Sequence, residues 1–257
     1  MELLITLLTS VLGLLGAPGI LIDRAGADVI RQQLYRAEIL EVRVESTPTY
    51  QILQGNVDRV RLGGRGIYPV EFLRIEAVDI ESDPISIDPN SLTNNRIVLR
   101  RPLQASARVV ITSEDINRAL RSPNILNSFK GLKINLGGGA VDQFDLIDPE
   151  IIFLRDNLIQ LKMKLRPTDP QKPVLDIEAQ AKINLTGGRR IQLEGVSINL
   201  QGVRFPDEIL QTFTNNLNEL LDLKQLESRG ILARVLKLEI TESKLQVIGF
   251  LRVERFD

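Results

Sequence analysis

Along most of the chain, apolar and polar residues alternate with a period of two, which predicts a protein built largely from half-buried β-strands. Val42 and Val44 alternate with Arg43 and Glu45 until Pro48 ends the run. The stretch YQILQGNVDRVRLGGRGIYPVEFLRIEAVDIESDPISID, residues 50–88, reads as several strands split by Gly and Pro. Leu103, Ala105, Ala107, Val109 and Ile111 make an odd-numbered apolar face against Gln104, Ser106 and Arg108. Ile159, Leu161, Met163 and Leu165 repeat the pattern, and so do the odd positions from Leu175 to Leu185, a long run for one strand. The chain turns through TGGRR at 186–190 and returns as Ile191 and Leu193. At Gly195 the phase slips to Val196, Ile198 and Leu200, the mark of a β-bulge. Two last runs, Leu236–Leu238–Ile240 and Leu245–Val247–Leu251–Val253, are joined at Thr241-Glu242-Ser243 as a hairpin.

Helical spacing occurs in three places besides the N-terminus. Ile22, Ala25, Val29, Gln33 and Ala37 predict an amphipathic helix over residues 23–40. The run ITSEDINRAL leads from a strand into a short helix, with capping hydroxyls at Thr112 and Ser113 and with Glu114 and Asp115 where the macrodipole favours acids. Ile116, Ala119 and Leu120 give that helix an apolar edge, and Pro123 is expected to stop it. Pro206 opens a third helix whose stripe is Ile209, Leu210, Phe213, Leu217, Leu220 and Leu221. Strands do not alternate with helices, which disfavours a doubly wound parallel sheet. The predicted class is α+β: a long, strongly curved antiparallel sheet wrapped around one or two amphipathic helices.

Composition narrows the chemistry. The chain of 257 residues has no Cys and no His. Disulfides, thiolate metal sites, cysteine nucleophiles and the imidazole of a Ser/His/Asp triad are therefore excluded. A net charge of −1 gives no global field for nucleic acid. Arginine outnumbers lysine 23 to 9, and most arginines have acids nearby in sequence. The clusters GGRG at 63–66 and GGG at 137–139 lack the lysine and hydroxyl of a phosphate-binding loop, and read as turns or bulges. No cofactor is implied. The only tempting carboxylate pair, Glu114-Asp115, is better explained by helix capping than by catalysis.

The early helix followed by LQGNVDRVRLGGRGIYP, the unit ASARVVITSEDINRAL and the closing ARVLKLEI…LQVIGFLRVE resemble the LmeA-like phospholipid-binding proteins of bacteria. The resemblance runs from about Asp23 onward, so residues 23–257 are expected to be one such domain. It implies a non-enzymatic protein similar to the tubular lipid-binding proteins, with an apolar groove for acyl chains. It also implies envelope work with anionic, phosphatidylinositol-like lipids at a membrane surface. On that reading Val109, Ile111, Ile116, Leu120, Ile209, Phe213 and Leu217 are the candidates for groove lining. Arg59, Arg61 and Arg65 are candidates for a headgroup-facing patch, the alternative being a solvated strand face. Alternation alone reports burial and not cavity volume, so a structural or partner-binding module with a solid core and no ligand stands as the competing reading.

The opening MELLITLLTSVLGLLGAPGILID decides the expected address. It has no Lys or Arg before the apolar run, and a cut after Ala17 would place Pro18 next to the scissile bond, so a signal peptide fits poorly. Its uninterrupted apolar stretch, Leu3 to Leu15, is roughly 20 Å as a helix, short of a bilayer crossing. Residues 1–22 are thus expected to be an apolar helix that is either membrane-associated or packed into the fold, placing the protein at the cell envelope or, alternatively, in the cytoplasm.

Overall fold

The computed structural model places a strand over each of the alternating runs at 103–111, 159–165, 175–185 and 245–253. The structure describes residues 31, 34–92, 98–134, 142–204, 210–211, 214–215, 218–219 and 221–254. Six strands form the first sheet: β1 (Arg36–Glu45), β3 (Arg59–Val70), β4 (Leu73–Ser82), β6 (Leu103–Thr112), β13 (Ile231–Ile240) and β14 (Lys244–Val253). Their order is β1-β3-β4-β6-β14-β13. The second sheet holds β7 (Leu132–Ile134), β8 (Asp142–Phe153), β9 (Leu158–Pro167), β10 (Leu175–Thr186), β11 (Arg190–Leu200) and β12 (Val203–Arg204), in the order β12-β11-β10-β9-β8-β7. A small ladder joins β2 (Asn56–Val57) to β5 (Ile85–Ser86). Every ladder is antiparallel, and among the described residues the fold is mostly sheet, strongly curled into a half-barrel, with few helices.

Where the sequence pattern suggests one curved sheet, the strands divide between two. Other differences have local causes. Of the helix expected over residues 23–40, residues 23–30, 32 and 33 lie outside the described residues, and from Arg36 the chain is β1, because Leu40 and Val42 are neighbours of Gly64 and Leu62 on β3. Pro123 does not merely end a helix. It is the first residue of a second one, α2 (Pro123–Ser128), after α1 (Ser113–Leu120), with the Ser122 hydroxyl as its cap. The bulge at Gly195 stands as expected: Gly195 has φ +59°, and the β10–β11 register shifts between Gln180 and Lys182.

The core of the first sheet is closed. Leu40, Val42, Val60, Leu62, Val78, Leu103, Ile231, Leu251 and Val253 are buried in one cluster with Ile67, Ile75, Ile85, Ile87 and Leu226. At roughly 1.5–3 kcal/mol for each fully buried aliphatic side chain, this cluster is the main stabilising element of that half. Helix α1 lies between the sheets, touching β4, β6 and β8. The second sheet also meets the first at its hairpin tips. Gly188 carbonyl accepts from Val235 N–H at 2.6 Å, and Asn157 Oδ1 accepts from Ile240 N–H at 2.8 Å, both on the edge strand β13.

Candidate functional site

Residues directly opposite one another in antiparallel strands share a face, so the register of the second sheet sorts its side chains. Ile151, Leu161, Ala179 and Ile198 form one row across β8, β9, β10 and β11. Met163, Ile177 and Leu200 form the next. These seven apolar residues are only half-buried, whereas the rows Ala105–Leu251–Ala233 and Leu103–Val253–Ile231 of the first sheet are buried. The second sheet therefore presents a broad aliphatic surface that the described chain covers incompletely. Its rim is held by two asparagines. Asn117 of α1 accepts from Ile151 N–H at 2.7 Å and donates to Ile151 carbonyl at 2.9 Å. Asn218, in a helical stretch, accepts from Leu193 N–H at 2.7 Å and donates to Leu193 carbonyl at 3.4 Å.

The opposite face of the same sheet is charged. Glu150, Lys162, Glu178 and Asn199 form a cross-strand row there, and Lys164 faces Asp176. With Arg121 and Asp148 they line a concavity of about 740 Å³. Its ion pairs are loose, at 3.6 Å for Lys164–Asp148, 3.7 Å for Arg121–Glu150 and 3.8 Å for Lys162–Glu178.

The groove-lining candidates fall into three groups. Val109 and Ile111 sit half-buried on β6 against the core of the first sheet. Ile116 and Leu120 are half-buried on α1, the helix that touches β8. Ile209, Phe213 and Leu217 lie outside the described residues, as does the opening segment 1–22. Among the described residues, no helix is long and apolar enough to cross a membrane.

Arg59, Arg61 and Arg65 come together on the outward face of β3, each with a carboxylate partner. Arg59 lies 3.2 Å from Glu81, Arg61 2.6 Å from Glu45, and Arg65 2.7 Å from Asp79. Asp79 also takes Arg108 at 2.9 Å. The ladder borders a shallow depression of about 370 Å³. All of these groups are more than a third exposed, so each pair contributes little to stability.

The strongest charge cluster is elsewhere and was not legible in sequence. Gly66 has φ +56°, and a Cβ there would lie 2.1 Å from Glu38 Cδ. The glycine of GGRG thus makes room for a carboxylate. Glu38 lies against Arg74, accepting from Nε and from Nη2, both at 3.2 Å. Arg74 Nη1 continues to Glu76 at 2.5 Å and to the buried Asp115 at 3.1 Å. Hydrogen bonding to Glu38 and then to Glu76 holds the guanidinium far above its ordinary range, and the Arg74 hydrogen bond keeps Glu38 below the usual carboxylate range. Asp115 also receives the Thr112 hydroxyl at 2.6 Å, while Thr112 Oγ1 accepts from Asp115 N–H at 3.0 Å as the cap of α1. Glu114 points to solvent and pairs with Arg118 at 2.8 Å. The Glu114-Asp115 pair is accounted for by capping and by anchoring α1 to β4. Among the described residues, no group of carboxylates is placed to hold a metal ion.

No curated protein and no solved structure matches the chain. A family comparison does: residues 13–250 match the sequence model for LmeA-like phospholipid-binding. That span covers well over half of the chain, and with a sheet-rich fold carrying an incompletely covered aliphatic face, the chain belongs to the LmeA-like phospholipid-binding family.

Proposed function

We propose that the protein is a non-catalytic carrier or holder of phospholipid, with acyl chains lying along the aliphatic face of the second sheet and its work done at a bacterial membrane or cell envelope. The observation that carries this reading is the contrast between the two sheets. The first sheet has rows filled by the protein's own side chains, Ala105–Leu251–Ala233 and Leu103–Val253–Ile231, and the second keeps seven apolar residues half-buried in adjoining rows. Membership of a phospholipid-binding family supports a lipid as the occupant. Ile116 and Leu120 line the α1 side of the groove, with Ile209, Phe213 and Leu217 candidates for its cover. The lipid is anionic, phosphatidylinositol-like, and Arg59, Arg61 and Arg65 are the candidate headgroup contacts, where a phosphate would take the place of Glu81 or Asp79.

Native mass spectrometry of the full-length protein tests the reading, and the added mass identifies the headgroup. Phospholipid is expected to copurify with the wild type. Ala179→Trp, which fills the middle of the row Leu161–Ala179–Ile198, is expected to melt at a similar temperature and lose bound lipid. Lipid-free wild type, or unchanged occupancy in Ala179→Trp, would favour the module with a solid core.

A further inference from the structure

A lipid holder must also meet the membrane its lipid comes from, and a surface away from the aliphatic face of the second sheet is built for that contact. Between β1 and β2 the chain makes a 3₁₀ turn, Thr49–Gln54. Residues three apart in a 3₁₀ turn project on the same side, so Tyr50 and Leu53 stand together. They are 62% and 71% exposed, yet the turn that carries them is firmly held. Ile52 packs on the core of the first sheet. Gly55 closes the turn in the left-handed conformation and donates its N–H to Ile52 carbonyl at 2.9 Å. Ile87 N–H donates to Gly55 carbonyl at 2.8 Å, and Thr47 N–H donates to the Asp58 carboxylate at 2.7 Å.

The segment beside this turn supplies the other half of an amphipathic tip. Asp88 N–H donates to Val98 carbonyl at 2.8 Å, and Arg100 N–H donates to Ser86 carbonyl at 2.9 Å, which fixes 98–100 alongside 86–88. Val98 is 49% exposed. The Arg100 guanidinium reaches Gln54 carbonyl at 3.4 Å, one residue from Leu53, and makes a loose, exposed pair with Asp88 at 3.9 Å, and Arg101 follows it in solvent.

We propose that this tip, Tyr50, Leu53 and Val98 flanked by Arg100 and Arg101, docks on the headgroup region of an anionic phospholipid bilayer. Apolar side chains held outward by an anchored backbone gain by entering the acyl boundary, and an amphipathic Tyr ring suits the same depth. The guanidinium forks beside them match lipid phosphates. The choice of partner rests on the lipid-binding reading above, but the surface is a different one.

The chain has no Trp, so Leu53→Trp in the full-length protein is a sole reporter. Its emission is expected to shift to the blue, and to be quenched by brominated acyl chains, on equimolar phosphatidylcholine–phosphatidylglycerol vesicles. Leu236→Trp, exposed on the opposite edge strand, is expected to stay unshifted. Tyr50→Ser with Leu53→Ser is expected to weaken cosedimentation with those vesicles at least about tenfold. Arg100→Gln with Arg101→Gln is expected to remove the preference over pure phosphatidylcholine. Copurified lipid should be unchanged in these variants, which separates failure of docking from failure of lipid binding. An unshifted Leu53→Trp, vesicle binding by the Tyr50→Ser/Leu53→Ser variant equal to wild type, or a shift that appears with protein concentration alone would overturn the proposal.

Discussion

Arg74 is the residue on which most depends locally, because Asp115 is 3% exposed and its nearest guanidinium is Arg74. Replacing Arg74 with Met leaves a buried carboxylate with only the Thr112 hydroxyl and a longer contact to Arg118, a loss expected to cost about 3 kcal/mol of folding free energy in denaturant melts. Arg74→Met with Asp115→Asn should recover part of it. The same cluster sets a pH response. Glu38 is held below its ordinary range in the folded protein, so its contribution is present at neutral pH and is lost as pH falls through that lowered value. Glu38→Gln is therefore expected to melt lower than wild type at neutral pH and to lose less on acidification, as thermal melts across a pH series will show. Thr112 as a cap is readable in ITSED, since a hydroxyl three residues before an acid in the first turn is a local rule. Gly66 is not readable that way. Its need for a residue without a Cβ comes from Glu38, brought across from β1 by strand register.

At the scale of elements, Asn117 and Asn218 each act as one residue of a missing strand, offering an amide donor and acceptor to an outward-facing backbone position. Substituting either with Leu leaves an N–H and a carbonyl without that partner. The expected cost is about 1–3 kcal/mol in equilibrium unfolding for each, and it should be largely additive because their partners, Ile151 and Leu193, sit on different strands. Strands such as β6, β9, β10 and β14 and the Gly195 bulge were legible because a period of two, and a slip in it, are written in the residues themselves, whereas β8 and the start of β1 were not. The assignment of strands to sheets was not, since alternation says that a strand has a covered face without saying what covers it. For the same reason the rows around Ala179 are visible as alternation, while their incomplete cover is visible only once the two sheets are packed.

For the whole molecule, the division of labour between sheets predicts a gradient of local stability. The first sheet has a closed core and the second a partly open one, so amide exchange in lipid-free protein is expected to be slowest in β4 and β6 and faster in β10 and β11. Equal protection in both, read by mass spectrometry of the exchanged protein, would mean that the aliphatic face adds no weakness. The hairpin-tip contacts on β13 and the two asparagine contacts carry a consequence of another kind. A long strand whose backbone groups are open at one side is a template for pairing with a neighbouring chain. Val235 and Ile240 on β13, Ile151 on β8 and Leu193 on β11 all have outward backbone groups already taken by polar atoms of the same chain. The same four contacts that hold the sheets in place thus deny these backbone positions to a strand from another molecule.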